Sequence, residues 1–414
     1  MGVFVGNLCY FFHCPLAVLL REGTAIFTLL GDVLSGVSWH DALHASLPAS
    51  KNAQQVQAVL QSAQGIEWIK VAYALDIFSR YGVIFLLFMV GLESSLEELK
   101  HTGRASMQVA LIGVAAPMVL GMLVMHVLMP EASLKIDLFV AATLAATSVG
   151  ITARVLKDMK KLRTREAKTI LGAAMIDDIL GLIILAVVSS IVINGVMDPY
   201  LIARVVLLSF VFFASVLMLG PWLLRQAVTF FNFLKPWESK LVVAFLFVML
   251  LSWFASFVQL ASIIGAFAAG LIIRDEFFDS KVPDSKLSVR IGELVAPLEF
   301  LFAPLFFMLI GIQVKLETFL DGHVLLVAAG LIVAAVLGKL VSGLGAEKKD
   351  DRLLIGIGML PRGEVGLVFA SIGQTLGVIS AELFAAIILM VIVTTFAAPP
   401  WIKRRFNQHN VVVL

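Results

Sequence analysis

The sequence predicts an all-α polytopic membrane protein of about thirteen transmembrane helices, with twelve as the alternative, in which two broken helices cross within an inverted repeat. Three observations carry this prediction. Of 414 residues, 60% are hydrophobic and only 14% are charged, with a mean hydropathy of +0.98, more apolar surface than a soluble core of that length hides. The apolar runs are hydrophobic all round, without the wet face of a soluble amphipathic helix. Lysine and arginine fall almost wholly in alternate links between the runs, as membrane topology demands.

From about residue 67 the chain divides into eleven apolar segments, each to be compared with the roughly 20 residues a helix needs to cross the hydrocarbon layer. They lie near 72–92, 106–129, 136–156, 169–193, 199–225, 239–257, 258–273, 294–313, 324–343, 353–373 and 382–400. The seventh is short. Helices are the required form, because lipid offers backbone groups no partners and no barrel-like alternation is present.

Alternate links carry Lys100 and Arg104; Lys157, Lys160, Lys161, Arg163, Arg165 and Lys168; Arg225, Lys235 and Lys240; Arg274, Lys281, Lys286 and Arg290; Lys348, Lys349 and Arg352; and the tail Lys403, Arg404 and Arg405. The opposite links hold only Lys135 and Lys315. This asymmetry predicts a cytoplasmic C-terminus, with 403–414 as a short cytoplasmic tail. Residues 1–66 are expected to supply a membrane hairpin of 3–20 and 24–38 with Arg21 and Glu22 at its cytoplasmic tip, which makes thirteen spans; one span plus a surface segment is the alternative. The polar stretch 40–65 reads as an extracytoplasmic loop or surface helix.

Several function classes fall away. No basic cluster interleaved with aromatics suggests nucleic acid, and Cys9 and Cys14 have neither disulfide-framework nor zinc-finger spacing, so they are expected simply to pack. No removable signal peptide is recognisable. No soluble nucleotide-binding domain is expected after the membrane part, and no GxxxxGK[ST] phosphate loop occurs. Transport driven by a gradient follows, with no enzyme activity and no cofactor.

Within the spans, polar residues are the informative minority. A charge near the bilayer centre costs about 2.5–3.5 kcal/mol on insertion scales, so its default reading is functional. Asp177 and Asp178 interrupt "GAAMIDDILGLIILAVV" (172–188), and Lys339 lies deep in the run 324–343. Neighbouring helical residues point about 100° apart, so the two acids have different tasks. One is expected to pair with a buried cation, for which Lys339 is the best-placed candidate, while the other faces a water-filled cavity. A snorkelling lysine is the alternative for Lys339.

Two spans carry breaks: "AATLAATSVGITARVL" with Thr147, Ser148, Gly150 and Thr152, and "IGIGMLPRGEVGLVFASIG" with Pro361, Arg362, Gly363, Glu364 and Gly366. Each is the middle member of a trio, 106–129, 136–156, 169–193 and 324–343, 353–373, 382–400, and the trios run in opposite directions. Interrupted helices at matching places in two halves point to a transporter site. Arg362 and Glu364 are expected to offset half-helix dipole ends or to pair with each other.

With these residues in place, the sequence resembles the bacterial sodium/proton antiporters of the NapA type, in the second cation:proton antiporter class, which also contains the Kef potassium/proton systems. The matching stretches are "FLLFMVGLE" (85–93), "ATSVGITARVL" (146–156), "LGAAMIDDILGLIILA" (171–186), "IIGAFAAGLII" (263–273), "LFAPLFFMLIGIQ" (301–313), "LGKLVSG" (337–343) and "MLPRGEVGLVFA" (359–370). The resemblance implies that Asp178 binds the sodium or lithium ion and the proton in turn, that Asp177 is the partner of Lys339, and that Thr147, Ser148, Arg362 and Glu364 lie in the crossing helices. It further implies a homodimer in a bacterial inner membrane, with a core domain (about 72–193 and 294–400) that moves like an elevator and dimer-side or linking helices within 199–273. The matches leave residues 1–66 without a counterpart.

The reading favours electrogenic exchange of sodium or lithium, with two protons per cation. A Kef-type potassium/proton exchanger without its regulatory domain is the alternative. A passive channel would be expected to show a filter or a ring of charges, and an intramembrane aspartyl protease needs its two acids on separate helices.

Overall fold

The computed structural model describes residues 2–23, 25–46, 53–94, 103–195, 198–278 and 289–411, and all of their regular structure is helical. The predicted basic-side residues Lys100, Lys281 and Lys286, and positions 47–52 of the polar stretch, lie outside the described residues. Five short helices come first: α1 (Gly2–Phe11), α2 (Pro15–Arg21), α3 (Ala25–Leu34), α4 (Trp39–Ser46) and α5 (Ala53–Leu60). Then follow α6 (Gly65–Glu93), α7 (Arg104–Leu128), α8 (Leu134–Ala145), α9 (Val149–Asp158), α10 (Arg165–Asn194), α11 (Pro199–Phe230), α12 (Pro236–Phe257) and α13 (Ser262–Ile272). The last five are α14 (Ile291–Gln313), α15 (Gly322–Ser342), α16 (Arg352–Gly358), α17 (Gly363–Thr375) and α18 (Ala381–Val411).

The chain is a multi-pass membrane protein. Among the described residues nine helical segments are long and apolar enough to cross a membrane, the pair α8 and α9 counting as one, and the pair α16 and α17, bent by 51°, makes a tenth. Large apolar side chains such as Phe210, Met218 and Trp222 on α11 and Trp253 on α12 are exposed, as lipid-facing groups must be.

Local chemistry sets the helix ends. Thr164 accepts from Ala167 N at 3.2 Å to start α10, Asp321 from His323 N at 2.8 Å to start α15, and Asp351 from Leu354 N at 3.1 Å to start α16. Each supplies an acceptor to an otherwise orphan amide. Asp198 does the same for Tyr200, with Pro199 opening α11. Gly195, at φ 80°, closes α10 in the left-handed region.

Packing groups the helices into two bodies. In one, α7 lies against α15, α8 and α10, while α15 also packs on α18. In the other, α6 and α14 lie along each other, α13 packs on α6, and α12 packs on α13. The helix α11 touches α10 on one side and α12 and α13 on the other. Any side chain at Gly270 would strike the Phe88 carbonyl, and one at Gly91 the Phe267 carbonyl, so α6 and α13 meet backbone to backbone.

Among the described residues the spans number nine or ten, against the thirteen or twelve expected, for local reasons. The segment predicted at 258–273 is the eleven-residue helix α13, ten of whose residues are buried, so it is a half-length helix inside protein. Residues 3–20 do not form one span: His13 adopts φ 54° and Pro15 opens a new helix, which divides the run into α1 and α2. Nor does 24–38, because α3 ends at Leu34 ahead of Gly36 at φ 97°.

The tip assigned to Arg21 and Glu22 is also corrected. Arg21 pairs with Glu317, and Glu22 receives Lys315 Nζ at 2.9 Å. Both partners lie in the link after α14, at the end opposite the basic links. The side chain of Asn7 reaches the same link, donating to Val314 O and accepting from Leu316 N. Val18, Leu19, Ile26, Leu29 and Val56 join Ala72 and Leu309 in a separate apolar cluster. The helices α1, α2 and α5 thus pack on α6 and α14 toward their ends opposite the basic links. Cys9 and Cys14 are free and half-buried, in keeping with simple packing.

Candidate functional site

Asp177 and Asp178 sit in the middle of α10, at 1% and 6% exposure. The wholly buried Lys339 on α15 donates to Asp177 at 3.2 Å (Oδ2) and 3.3 Å (Oδ1). It does not snorkel. Asp178, turned about 100° around the helix from its neighbour, keeps Oδ2 buried and unpartnered among the described residues. The charges that reach it are those of Asp177, Glu364 and Lys339.

The two broken spans meet beside these acids. The helix α8 ends at Ala145, the chain runs extended through Ala146 and Ser148, and α9 begins at Val149. In the other span α16 ends at Gly358 and α17 begins at Gly363. Backbone freed by the breaks is satisfied across the crossing, as lipid burial requires. Ser148 N donates to Pro361 O at 2.7 Å, Thr152 Oγ1 to Gly358 O at 2.7 Å, and Thr147 Oγ1 to Met359 O at 3.4 Å.

Arg362, fully buried, donates from Nη1 to Ala146 O at 2.8 Å and from Nη2 to Ala335 O at 3.3 Å. Its charge therefore stands at the carbonyl end of α8, where the helix dipole is negative. The carboxylate of Glu364, in the first turn of α17, accepts from Ser148 Oγ at 3.0 Å. It stands where the amino ends of α9 and α17 converge. Of the two arrangements expected for Arg362 and Glu364, the offset of half-helix ends is the one adopted; they do not pair with each other.

Gly363 makes this crossing sterically feasible. Its φ is 44°, and a Cβ there would fall 2.6 Å from Ser148 Cβ. Its amide donates to Thr395 Oγ1 at 3.2 Å.

The seven residues expected to form the ion site and its crossing helices, Thr147, Ser148, Asp177, Asp178, Lys339, Arg362 and Glu364, come together at the crossing. Thr395 was missed, although a Thr–Thr pair within the apolar run of α18 was a visible signal. Glu299 on α14, within electrostatic reach of Glu364, was missed as a single acid in "APLEFLFAP".

Three cavities lie around the helices of the site, and one of them reaches the crossing. One of about 590 Å³ at the basic end is lined by Glu93, Arg274, Glu276 and Glu293. Another of about 270 Å³ at the opposite end lies between α6, α14 and α17, lined by Asp76, Arg80, Gln313, Ser371 and Gln374. A third, of about 680 Å³, reaches Gly363 and Glu364 from the side along Pro304, Phe307 and Leu367. The arrangement offers unpaired carboxylate oxygen and hydroxyl groups at mid-depth, a donor set suited to a proton or a hard monovalent cation.

Comparison with known proteins identifies the family. The sequence profile of the family described as sodium/hydrogen exchanger, transmembrane, matches residues 58–407. The chain is 38% identical over 397 residues to the high-affinity Na+/H+ antiporter NhaS3 of Synechocystis sp., covering 92% of this chain and 83% of that protein. It is 35% identical over 349 residues to the Na+/H+-K+ antiporter GerN of Bacillus cereus, covering 83% and 86% respectively. In fold it is similar to the sodium proton antiporter MjNhaP1 of Methanocaldococcus jannaschii, with a TM-score of 0.56, 17% identity and 98% of each chain covered. On the profile match and these relatives, the chain belongs to the sodium/hydrogen exchanger family.

Proposed function

We propose that the chain exchanges sodium or lithium for protons across a bacterial inner membrane, with Asp178 as the group that holds cation and proton in turn. One observation carries the reading: Lys339 neutralises Asp177, whereas Asp178 keeps a buried oxygen without a partner beside two unwound segments. A carboxylate in that position takes either a proton or an alkali ion, and competition for one site is exchange. When access changes sides only with Asp178 occupied, an inward proton gradient drives the cation outward with no other energy source.

Thr147, Ser148 and Glu364 supply further oxygens near the ion. Arg362 holds the two half-helices in place. Breaking the Asp177–Lys339 pair during the cycle lets Asp177 take a second proton, so transport is electrogenic at two protons per cation. The basic end is the cytoplasmic one, and the C-terminus lies there.

The moving body is the set α7 to α10 with α15 to α18. This departs from the expected core of 72–193 and 294–400 in leaving α6 and α14, which pack on each other and, for α6, on α13, with α12 and α13 in a second body that stays with the partner subunit of a homodimer. The exposed apolar faces of α11 and α12 meet that subunit and lipid. Potassium in place of sodium is the second reading, supported by the similarity to the Na+/H+-K+ antiporter GerN.

The test is flux in proteoliposomes with an internal pH dye. Addition of sodium or lithium should dissipate an imposed proton gradient, while conduction that persists without any proton movement would leave a passive channel.

A further inference from the structure

We propose that Glu299 on α14 is a transient subsite for the transported monovalent cation, on the route between the basic-end cavity and Asp178. The inference deepens the exchange reading and rests on it.

Glu299 lies eight residues into α14 from its basic end, a depth of about 12 Å at the helical rise. It is half-buried and has no hydrogen-bond or ion-pair partner among the described residues. An unpaired acid at that depth is costly unless it serves a path for ions. The charges that reach it are those of Glu93 and Glu364, both negative. Glu93 at the end of α6 in turn feels Glu364 and, among the cations of the described residues, Arg154. Repulsion among these acids is relieved when a cation enters among them.

The surrounding space fits that task. Glu299 lines a recess of about 320 Å³ whose walls include Pro304 and Phe307. The same two residues line the larger cavity that contains Glu364. Because Pro304 has no N–H, the carbonyl of Phe300 loses its helical donor, leaving a second oxygen one residue from the carboxylate. Glu93 lines the basic-end cavity, so the carboxylates run in order from that mouth inward: Glu93, Glu299, Glu364. The order ends at Asp178, which is 6% exposed with Oδ2 unpartnered and feels the charge of Glu364. Glu299 and Glu93 belong to the body of α6 and α14, Glu364 and Asp178 to the body of α7, α10 and α15. A cation passing from one set to the other crosses between bodies.

The experiment measures half-saturating sodium separately at each face, using the full chain in vesicles of defined orientation. Glu299→Gln should raise it about tenfold at the basic-end face, the scale on which a local field concentrates counter-ions, and leave it unchanged at the opposite face. Glu299→Asp, which keeps the charge, should recover most of the loss and guards against a folding defect. Equal values for Glu299→Gln and the unaltered chain, or the same rise at both faces, would overturn the subsite. Absence of sodium-dependent proton movement in the unaltered chain would instead defeat the exchange reading, and this inference with it.

Discussion

Lys339 Nζ lies 3.2 Å from Oδ2 and 3.3 Å from Oδ1 of Asp177, with both side chains sealed from solvent. The adjacent Asp178 has no such cation, and its Oδ2 is unpartnered. Two acids one residue apart are therefore chemically unlike: one is held in a neutralised pair, the other is available.

The pair itself is testable through stability. Lys339→Gln leaves a buried acid without its cation, and losing one partner of a buried pair costs about 3–5 kcal/mol. Adding Asp177→Asn to that variant removes the stranded acid and should restore most of the loss. A double-mutant cycle by thermal unfolding in detergent measures the coupling; additive effects would mean the two residues do not interact.

Arg362 ties Ala146 O on one broken span to Ala335 O on α15 through two different nitrogens. A lysine presents one point charge and no fork, so Arg362→Lys cannot reproduce the two bonds made from separate nitrogens. The expected cost is about 1.5–3 kcal/mol, the range for a hydrogen bond to a charged group, with slower exchange. Thermal unfolding together with flux checks both.

Gly363 occupies φ 44° against Ser148. Gly363→Ala adds left-handed backbone strain of about 1–3 kcal/mol and pushes its Cβ into Ser148. Exchange should fall with stability, and the Ser148–Glu364 contact should open. Hydrogen exchange of the 146–152 and 359–366 peptides reports it: faster exchange confined to those peptides is the expected pattern.

At the end opposite the basic links, Arg21 is 1% exposed, pairs with Glu317, donates to Asn7 and stacks on Tyr10 at 3.9 Å. Because Glu317 is half exposed, solvent discounts that ion pair, and the loss on Arg21→Ala comes mainly from packing on Tyr10 and the lost hydrogen bond to Asn7. A drop of about 1–3 kcal/mol is expected, with exchange retained. Limited proteolysis should find the region 2–60 cut sooner, while the rest of the chain resists as before.

Much of the site was legible because charge in lipid is conspicuous. Asp177, Asp178 and Lys339 each interrupt a long apolar run, and Thr147–Ser148 and Pro361–Gly363 are polar or helix-breaking where an uninterrupted helix would be apolar. Which acid meets Lys339 was not legible from residue positions alone, since it depends on how α10 and α15 are rotated against each other. The N-terminal region misled for a related reason. Residues 3–20 are apolar enough to span, and the break at His13 and Pro15 shows only in the backbone. Arg21 and Glu22 looked like a tip on the basic side until their partners, Glu317 and Lys315, placed them at the other end. Apolarity reports that a segment avoids water, but α13 avoids it inside protein rather than in lipid.

The most direct measurement of the central claim is sodium-dependent proton movement in proteoliposomes carrying Asp178→Asn. Amide and carboxylate are nearly the same size, so the fold should persist, and thermal unfolding close to that of the unaltered chain would confirm it. Exchange should fall to the level of empty liposomes, with sodium, lithium and potassium alike. Exchange that continues at a comparable rate in a folded Asp178→Asn protein would contradict the account, because the ion and the proton would then be competing somewhere else.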